Sequence, residues 1–388
     1  MTGNGRRSSP PGAAAPGSLS LHRFAGTPTE VGRQHGEACR DLVAAHLDTV
    51  LDRLGLVGVE HEVIATAVNR FRPWVQRHAP HFDEEIVGLS EGADISLEHA
   101  YLLQLRAEVN ADLRRRSRPD DNECTTFCAH RDATSSGVGL IGQNIDLPAF
   151  YQDLLIVMNV QPTSGPEVLM LTPAGQISYI GISGEGMGVV ANFLHCDGWR
   201  PGFPRYLFSR YLMAEDSVED AVTALTRLPR ASSRNLMVMD RHGELVGLEN
   251  TPSDVAVLRP VDGILTHANH YLSPQFLLEE RSTPAGLHNS RTRQQRIDTL
   301  MKEQAGALCP RTVAAIMRDR SDAPHALSHT LQDCGPTAGS PPADDSITVG
   351  SLLAEPSAGR IWACAGPPSE SLYHQYSIDG RLLADETL

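Results

Sequence analysis

Apolar residues along the first third of the chain recur at helical spacing. From Pro28, the positions Val31, Leu42, Val43, Leu47, Val50, Leu51 and Leu54 trace a stripe of period near 3.6. Val63, Ala67, Val68, Phe71, Trp74 and Val75 continue it, as does the stretch Leu97 to Val109. The pattern predicts helices up to about Leu113, followed by the charged, proline-containing run Leu113 to Asp121, which reads as an exposed mobile linker. Immediately after it the period becomes that of strands. Thr125–Cys128, Val138–Ile141, Leu154–Met158, Val168–Leu171 and Ile177–Ile182 are short β-type runs separated by Gly, Pro, Asp or Ser, with Pro173–Gln176 as a hairpin loop. Helix returns at Tyr206–Leu228, where Ser217 offers an N-cap. Strands follow at Leu236–Met239, Leu245–Glu249 and Val255–Leu258, then helices across Ser290–Met301 and Arg311–Met317. Two last strands, Ile347–Leu353 and Arg360–Cys364, end the pattern. Strand runs with helices grouped between them predict an α+β layered core.

Composition narrows the function classes. The 388 residues carry 33 Lys+Arg against 47 Asp+Glu, a formal charge of −14, which leaves no electrostatic footprint for nucleic acid or an anionic membrane surface. No apolar run approaches the length of a membrane span. Residues 1–27 begin with a Pro/Gly/Ser-rich stretch and read as a disordered tail; Arg6-Arg7 has no apolar run behind it, so an export signal is not expected. Seven cysteines, odd in number and scattered, do not form a secreted disulfide framework and point to a reduced, cytoplasmic setting.

Several signatures fail. There is no phosphate loop, and Gly181-Ile182-Ser183-Gly184-Glu185 has Glu where a nucleophile elbow ends in Gly. Cys124, Cys128 and His130 lack a second ligand pair, and His267 and His270 lie in a strand or loop where a spacing of three does not share a face, so no metal is expected. What remains is Asn122-Glu123-Cys124-Thr125-Thr126, a cysteine where the polar linker meets the first strand. Taken alone, Cys124 is a small buried residue. Gly142-Gln143-Asn144-Ile145-Asp146 closes the partner strand of its hairpin, Asn192 ends another strand, and Thr266-His267-Ala268-Asn269-His270 ends a third. A thiol, a carboxylate and carboxamides at converging strand ends suit attack on an amide.

These residues resemble peptidase family C45, the acyl-coenzyme A:isopenicillin N acyltransferase-like N-terminal nucleophile hydrolases. The resemblance runs through Cys124-Thr125-Thr126, Gly142–Asp146, Gly186–His195, Gly247-Leu248-Glu249, Thr266–His270 and Ser290–Arg296, and includes the earlier Gly32-Arg33-Gln34-His35-Gly36 run. It implies a four-layer αββα sandwich, no cofactor, and self-cleavage between Glu123 and Cys124. That division gives a helical segment 28–123 and a core 124–388, with the two chains remaining associated. By the same resemblance Asp146 would orient the freed α-amine of Cys124, Asn269 would donate to the oxyanion and Asn192 would be a second polar contact. Asn144, Glu249, His270 and Asp345 would lie around a small-molecule amide substrate. Asp345 stands where the penicillin enzyme carries an arginine, which implies a substrate whose nearby group is an amine, or at least one with no carboxylate at that point. Glu123 replaces the family's glycine before the nucleophile, implying slow or condition-dependent cleavage. The expected activity is hydrolysis of a small N-acyl or N-aminoacyl amide through a Cys124 thioester, in a setting such as secondary metabolism. Acyl transfer to an amine, and an uncleaved protein that binds amides without chemistry, are the alternatives.

Overall fold

The computed structural model describes residues 18–112, 123–334 and 345–388. The chain opens with strand β1 (Leu21–Gly26), followed by six helices: α1 (Pro28–Ala38), α2 (Arg40–Arg53), α3 (His61–Val68), α4 (Arg72–His78), α5 (Pro80–Ala93) and α6 (Leu97–Asp112). Six strands come next: β2 (Glu123–Ala129), β3 (Leu140–Pro148), β4 (Leu155–Pro162), β5 (Val168–Pro173), β6 (Ile180–Ser183) and β7 (Gly188–Asn192). Helices α7 (Phe208–Leu212) and α8 (Val218–Arg227) precede β8 (Arg234–Met239), β9 (Leu245–Asn250), β10 (Val255–Leu258) and β11 (Ile264–His267). Helices α9 (Pro284–Glu303) and α10 (Pro310–Met317) lead to β12 (Ser346–Glu355), β13 (Arg360–Ala365), β14 (His374–Ser377) and β15 (Arg381–Thr387).

Two sheets carry the fold: an eight-stranded one ordered β1-β4-β5-β6-β7-β8-β9-β10 and a seven-stranded one ordered β11-β2-β3-β12-β13-β14-β15. Their layering follows from how each strand divides its apolar residues. Ile156, Met158 and Val160 of β4 face the helices α1–α8, while Leu155 and Val157 face the second sheet. Phe127, Ala129 and Leu353 of the second sheet pack instead on Ile297, Val313 and Met317 of α9 and α10. A strand buried on both faces reads as a continuous apolar run rather than an alternating one, which is how β4 and β5 appear in the sequence. The result is the expected αββα sandwich.

The Gly32–Gly36 run has a packing reason. A Cβ at Gly32 would stand 1.9 Å from the Glu85 carbonyl oxygen, and one at Gly88 would stand 2.1 Å from that of Thr29, so α1 and α5 touch backbone to backbone. Thr27 caps α1 in a capping box with Glu30, and Ser217 caps α8 as its sequence signalled.

Two expectations change. The tail predicted through residue 27 is ordered over Leu21–Gly26, which pairs parallel with β4; a lone short strand has no local signal, because its partner is more than 130 residues away. The two last strands become four, since β14 and β15 extend the second sheet. Residues 113–122, read as a linker, and most of the segment Cys334–Pro342 lie outside the described residues. Among the described residues no helix is long and apolar enough to cross a membrane.

Candidate active site

Strand β2 alternates. Thr126 and Cys128 point between the sheets, and Phe127 and Ala129 point toward α9 and α10. Cys124 therefore turns its thiol into the space between the sheets and is buried, 3% exposed. Its backbone is held at both ends by side chains from three other elements. The Cys124 N–H donates to Asn269 Oδ1 at 2.6 Å. Its carbonyl accepts from Asn192 Nδ2 at 3.1 Å and from Arg293 Nη1 at 2.8 Å. Arg293, on α9, also donates to Asn269 Oδ1 (3.0 Å) and to Thr125 Oγ1 (2.8 Å), and its Nε is fixed by Asn289 Oδ1 one turn earlier (2.7 Å).

The ladder sets the carboxylate. Cys124 pairs with Ile145 and Glu123 with Asp146, so Asp146 stands directly across from the Glu123–Cys124 peptide bond. Asp146 Oδ1 accepts from Thr348 Oγ1 at 2.6 Å. Burial, reinforced by the Asp146 charge, pushes the Cys124 thiol up to about 12; the Asp146 backbone N–H, Arg293 and the Gln143 amide pull the other way and do not prevail. Gln143 shares the inter-sheet face with Cys124: its Oε1 accepts from the Ala191 N–H at 2.8 Å, and its amide lies beside the thiol.

The space beside the thiol is about 20 Å³, lined by Leu147, Tyr179, Phe193, Arg205, Tyr206 and Arg234. That is room for about one water. Phe193 and Arg205 are shared with a cleft of about 720 Å³ between the end of α6 (Ala107, Glu108, Ala111) and the segment 195–201. These two side chains form the wall between thiol and cleft.

The polar residues singled out in the sequence are held by neighbouring groups. Asn269 Nδ2 donates to the Phe193 carbonyl (3.0 Å), and its oxygen takes the nucleophile's own N–H. Asn192 is similarly committed, its Nδ2 to the Cys124 and His267 carbonyls and its Oδ1 to Thr126 and Asn235, so it fixes the strand end. Asn144 is not at the substrate: it lies on the opposite face of β3 and donates to the Met317 and Leu327 carbonyls. Glu249 is also drawn away. Its carboxylate accepts from His267 and from the backbone N–H groups of Leu272 and Ser273, anchoring the loop that carries Asn269. His270 meets Ser290 Oγ at 2.8 Å, and burial lowers it to about 4, so it is neutral at pH 7 and supports the same loop through Ser290, which also accepts the Asn269 N–H. Asp345 sits beside Ala149, whose N–H its carbonyl accepts, four strand positions beyond Ile145, or roughly 13 Å along β3. Arg205 and Arg234 line the small space beside the thiol, while the charges acting on the thiol itself are those of Asp146 and Arg293.

Sequence reasoning missed Arg293, Gln143, Arg205 and Arg234. Gln143 was recoverable, because residues opposite an inward Cys124 and Thr126 on a paired strand must also face inward. The Asn289/Arg293 spacing of four marks a single helix face, but nothing local tells which face meets the nucleophile.

Comparison with known proteins places this geometry. Residues 133–370 match the family described as acyl-coenzyme A:6-aminopenicillanic acid acyl-transferase; the match covers Asp146, Asn192, Asn269 and Arg293 and opens after Cys124. The chain is 28% identical over 251 residues to the acyl-coenzyme A:6-aminopenicillanic-acid-acyltransferase 40 kDa form of Emericella nidulans, covering 64% of this chain and 68% of that one. Among solved structures, a variant of conjugated bile acid hydrolase from Clostridium perfringens is similar at a TM-score of 0.44 and 14% identity, over 62% of this chain and 89% of that one. Penicillin V acylase from Agrobacterium tumefaciens gives 0.43 and 14%, over 66% and 83%. These two likenesses are too distant to bear on the role of any residue. With the family match spanning more than half of its length, the chain belongs to the acyl-coenzyme A:6-aminopenicillanic acid acyl-transferase family.

Proposed function

We propose that the protein cuts its own Glu123–Cys124 bond and then uses Cys124 to carry an acyl group taken from a small amide. The observation that carries this reading is the backbone of Cys124. A cysteine that served only as packing would not need Asn269 on its nitrogen and both Asn192 and Arg293 on its oxygen. That grip holds a strand end fixed while the bond before it is broken.

In self-cleavage the Sγ attacks the Glu123 carbonyl carbon and the C–N bond breaks, with the proton passing to the departing nitrogen. Water then releases Glu123 as a carboxylate and returns a proton to sulfur. The division yields chains of residues 1–123 and 124–388. In the uncut chain the thiol, held near 12, has little thiolate at neutral pH. Cleavage supplies its base: a free α-amine, with an ordinary pKa of about 7.7–8.0, suits proton transfer near neutrality. Asp146, across the ladder from this point, and Asn269 Oδ1 are the acceptors that would orient the amine. In turnover the amine takes the Sγ proton as sulfur bonds to the substrate carbonyl carbon. The Gln143 amide, beside the thiol, is the side-chain donor that would meet the developing oxyanion. The amine then gives its proton to the leaving nitrogen, the C–N bond breaks, and water hydrolyses the thioester. An amine in place of water makes the reaction the acyl transfer for which the Emericella nidulans relative is named.

Two fragments on a denaturing gel, with intact masses dividing at Glu123 and Cys124, are the expected result for the wild type, and a single chain for Cys124→Ala. An acyl adduct on the Cys124 peptide after incubation with a panel of amides then identifies the substrate. A wild-type chain that stays whole, with no acyl adduct, leaves only the amide-binding alternative.

A further inference from the structure

Thr348 reaches Asp146 through a break in the register of β12. Leu352 and Ala354 pack between the sheets, so strict alternation back along the strand would turn Thr348 into the same space. Val349 lies there instead, and the pairing steps from Thr348↔Asp146 to Gly350↔Ile145 with Val349 as the extra residue. A bulge of this kind re-aims a side chain. It turns Thr348 to the outer face of the sheet, the face on which Asp146 follows the inward Ile145 and on which Asn144 meets the Met317 and Leu327 carbonyls. Both Thr348 and Asp146 are wholly buried. Thr348 Oγ1 accepts the His329 N–H at 2.8 Å, and the Thr348 N–H donates to the His329 carbonyl at 2.9 Å. A hydroxyl has one proton to give. With its oxygen taking the His329 N–H, that proton goes to Asp146 Oδ1, and the separation of 2.6 Å is that of a hydroxyl donating to a carboxylate. Glu123 stands across from Asp146 on the other side of β3, so Asp146 has Thr348 on one side and the Glu123–Cys124 bond on the other.

We infer that Thr348 is a positioning residue for turnover: its hydroxyl holds the Asp146 carboxylate ionised and turned toward the α-amine that cleavage frees on Cys124. This deepens the self-cleavage and thioester reading and rests on it for the amine. Thr348 gives up no proton when the amine takes one from Sγ; it acts through Asp146. Removing the hydroxyl leaves a buried carboxylate one donor short, which favours its protonated form and releases it from the geometry the amine needs. The His329 backbone, by fixing which way the Thr348 proton points, makes the segment after α10 part of the same support.

The test compares the wild type with Thr348→Val, which keeps the shape and removes the hydroxyl, and Thr348→Ser, which keeps the hydroxyl. The probe is 4-nitrophenyl acetate: Sγ bonds to its carbonyl carbon, 4-nitrophenolate leaves and is read by absorbance, and the acetyl group stays on Cys124, where peptide mass locates it. Thr348→Val is expected to acylate Cys124 roughly tenfold more slowly or worse, the factor carried by a hydrogen bond to a charged group, and Thr348→Ser to restore the rate. A wild-type rate in Thr348→Val, or equal losses in the two variants, overturns the role. Where Thr348→Val does not fold, Thr348→Ser decides: it keeps the wild-type rate if the hydroxyl is what matters, and a loss of about tenfold in the folded variant overturns the role. Urea unfolding in the single-chain Cys124→Ala background tests the bond without chemistry: Thr348→Val and Asp146→Asn, singly and together, should couple by roughly tenfold in the unfolding equilibrium constant. Coupling alongside a wild type that stays whole keeps the hold on Asp146 and removes the amine reading with the role built on it. A cut chain whose Cys124 acylates equally in wild type and Thr348→Val removes the role of Thr348 and leaves that reading standing.

Discussion

Arg293 Nη2 donates to Asn269 Oδ1 at 3.0 Å while its Nη1 reaches the carbonyl of Cys124, so one guanidinium ties together the groups that hold the nucleophile's nitrogen and its oxygen. The planar fork makes this possible: its donors diverge in fixed directions, whereas an ammonium is a single point of charge. Arg293→Lys is therefore expected to fail as a replacement. Self-cleavage and turnover should both fall by about a hundredfold, since misplacing a reacting group by about 1 Å costs that much. The rate of fragment appearance on a gel measures the first and adduct formation on Cys124 the second. Near-wild-type rates in a folded Arg293→Lys protein would show that the bridge is only structural.

Gln143 gives a sharper separation. Its Oε1 is occupied by the Ala191 N–H, leaving Nε2 toward the thiol. Gln143→Glu keeps the shape and the acceptor and removes the donor. The loss of one such donor is expected to lower kcat by about 10²–10³ with little change in KM. A variant that raises KM with kcat intact would place Gln143 in substrate binding instead.

The contrast between Gln143 and Asn144 shows what was legible in the sequence. Cys124, Asp146, Asn192 and Asn269 could be singled out because each is a polar residue at the end of an apolar strand, and the structure brings all four together. Neighbouring residues of one strand were not separated until alternation was applied to the pair: Asn144 turns to α10 and Gln143 to the thiol. Arg205 and Arg234 were hidden for another reason. An arginine in a sequence reads as surface, and only packing shows these two guanidiniums enclosed by Phe193, Trp199, Tyr179 and Tyr206. Strand β1 was illegible because its parallel partner β4 is distant in the chain.

The same strand governs the fate of the two chains after cleavage. β1 pairs along its whole length with β4, and α1–α6 bury Val43, Phe82, Leu103 and Val109 in one core with β4, β5 and β8. The fragment 1–123 is thus expected to stay bound to 124–388 without a covalent link. The two should co-elute by size exclusion in buffer and separate only in denaturant. Elution of a free helical fragment from the cut protein would contradict the packing described.

Stability should fall with acid through two buried histidines. His35 Nε2 accepts the Gly175 N–H at 3.1 Å, and His46 Nδ1 bonds the Ala174 carbonyl at 2.8 Å, so both pin the β5–β6 hairpin to the helical layer. Each is wholly buried, and desolvation lowers each to about 3. Unfolded histidine protonates near 6.5, so below that pH the unfolded chain binds protons that the folded one does not. Their contribution is complete above about pH 6.5 and is lost progressively toward about pH 3, at about 1.4 kcal/mol per unit for each. From about pH 7 to about pH 5 one histidine should therefore account for about 2 kcal/mol. Urea unfolding of the wild type and of His46→Gln at both pH values measures it: the variant, less stable at neutral pH, should lose about 2 kcal/mol less on acidification. Equal losses in the two proteins would mean that folded His46 accepts its proton as readily as the unfolded chain does.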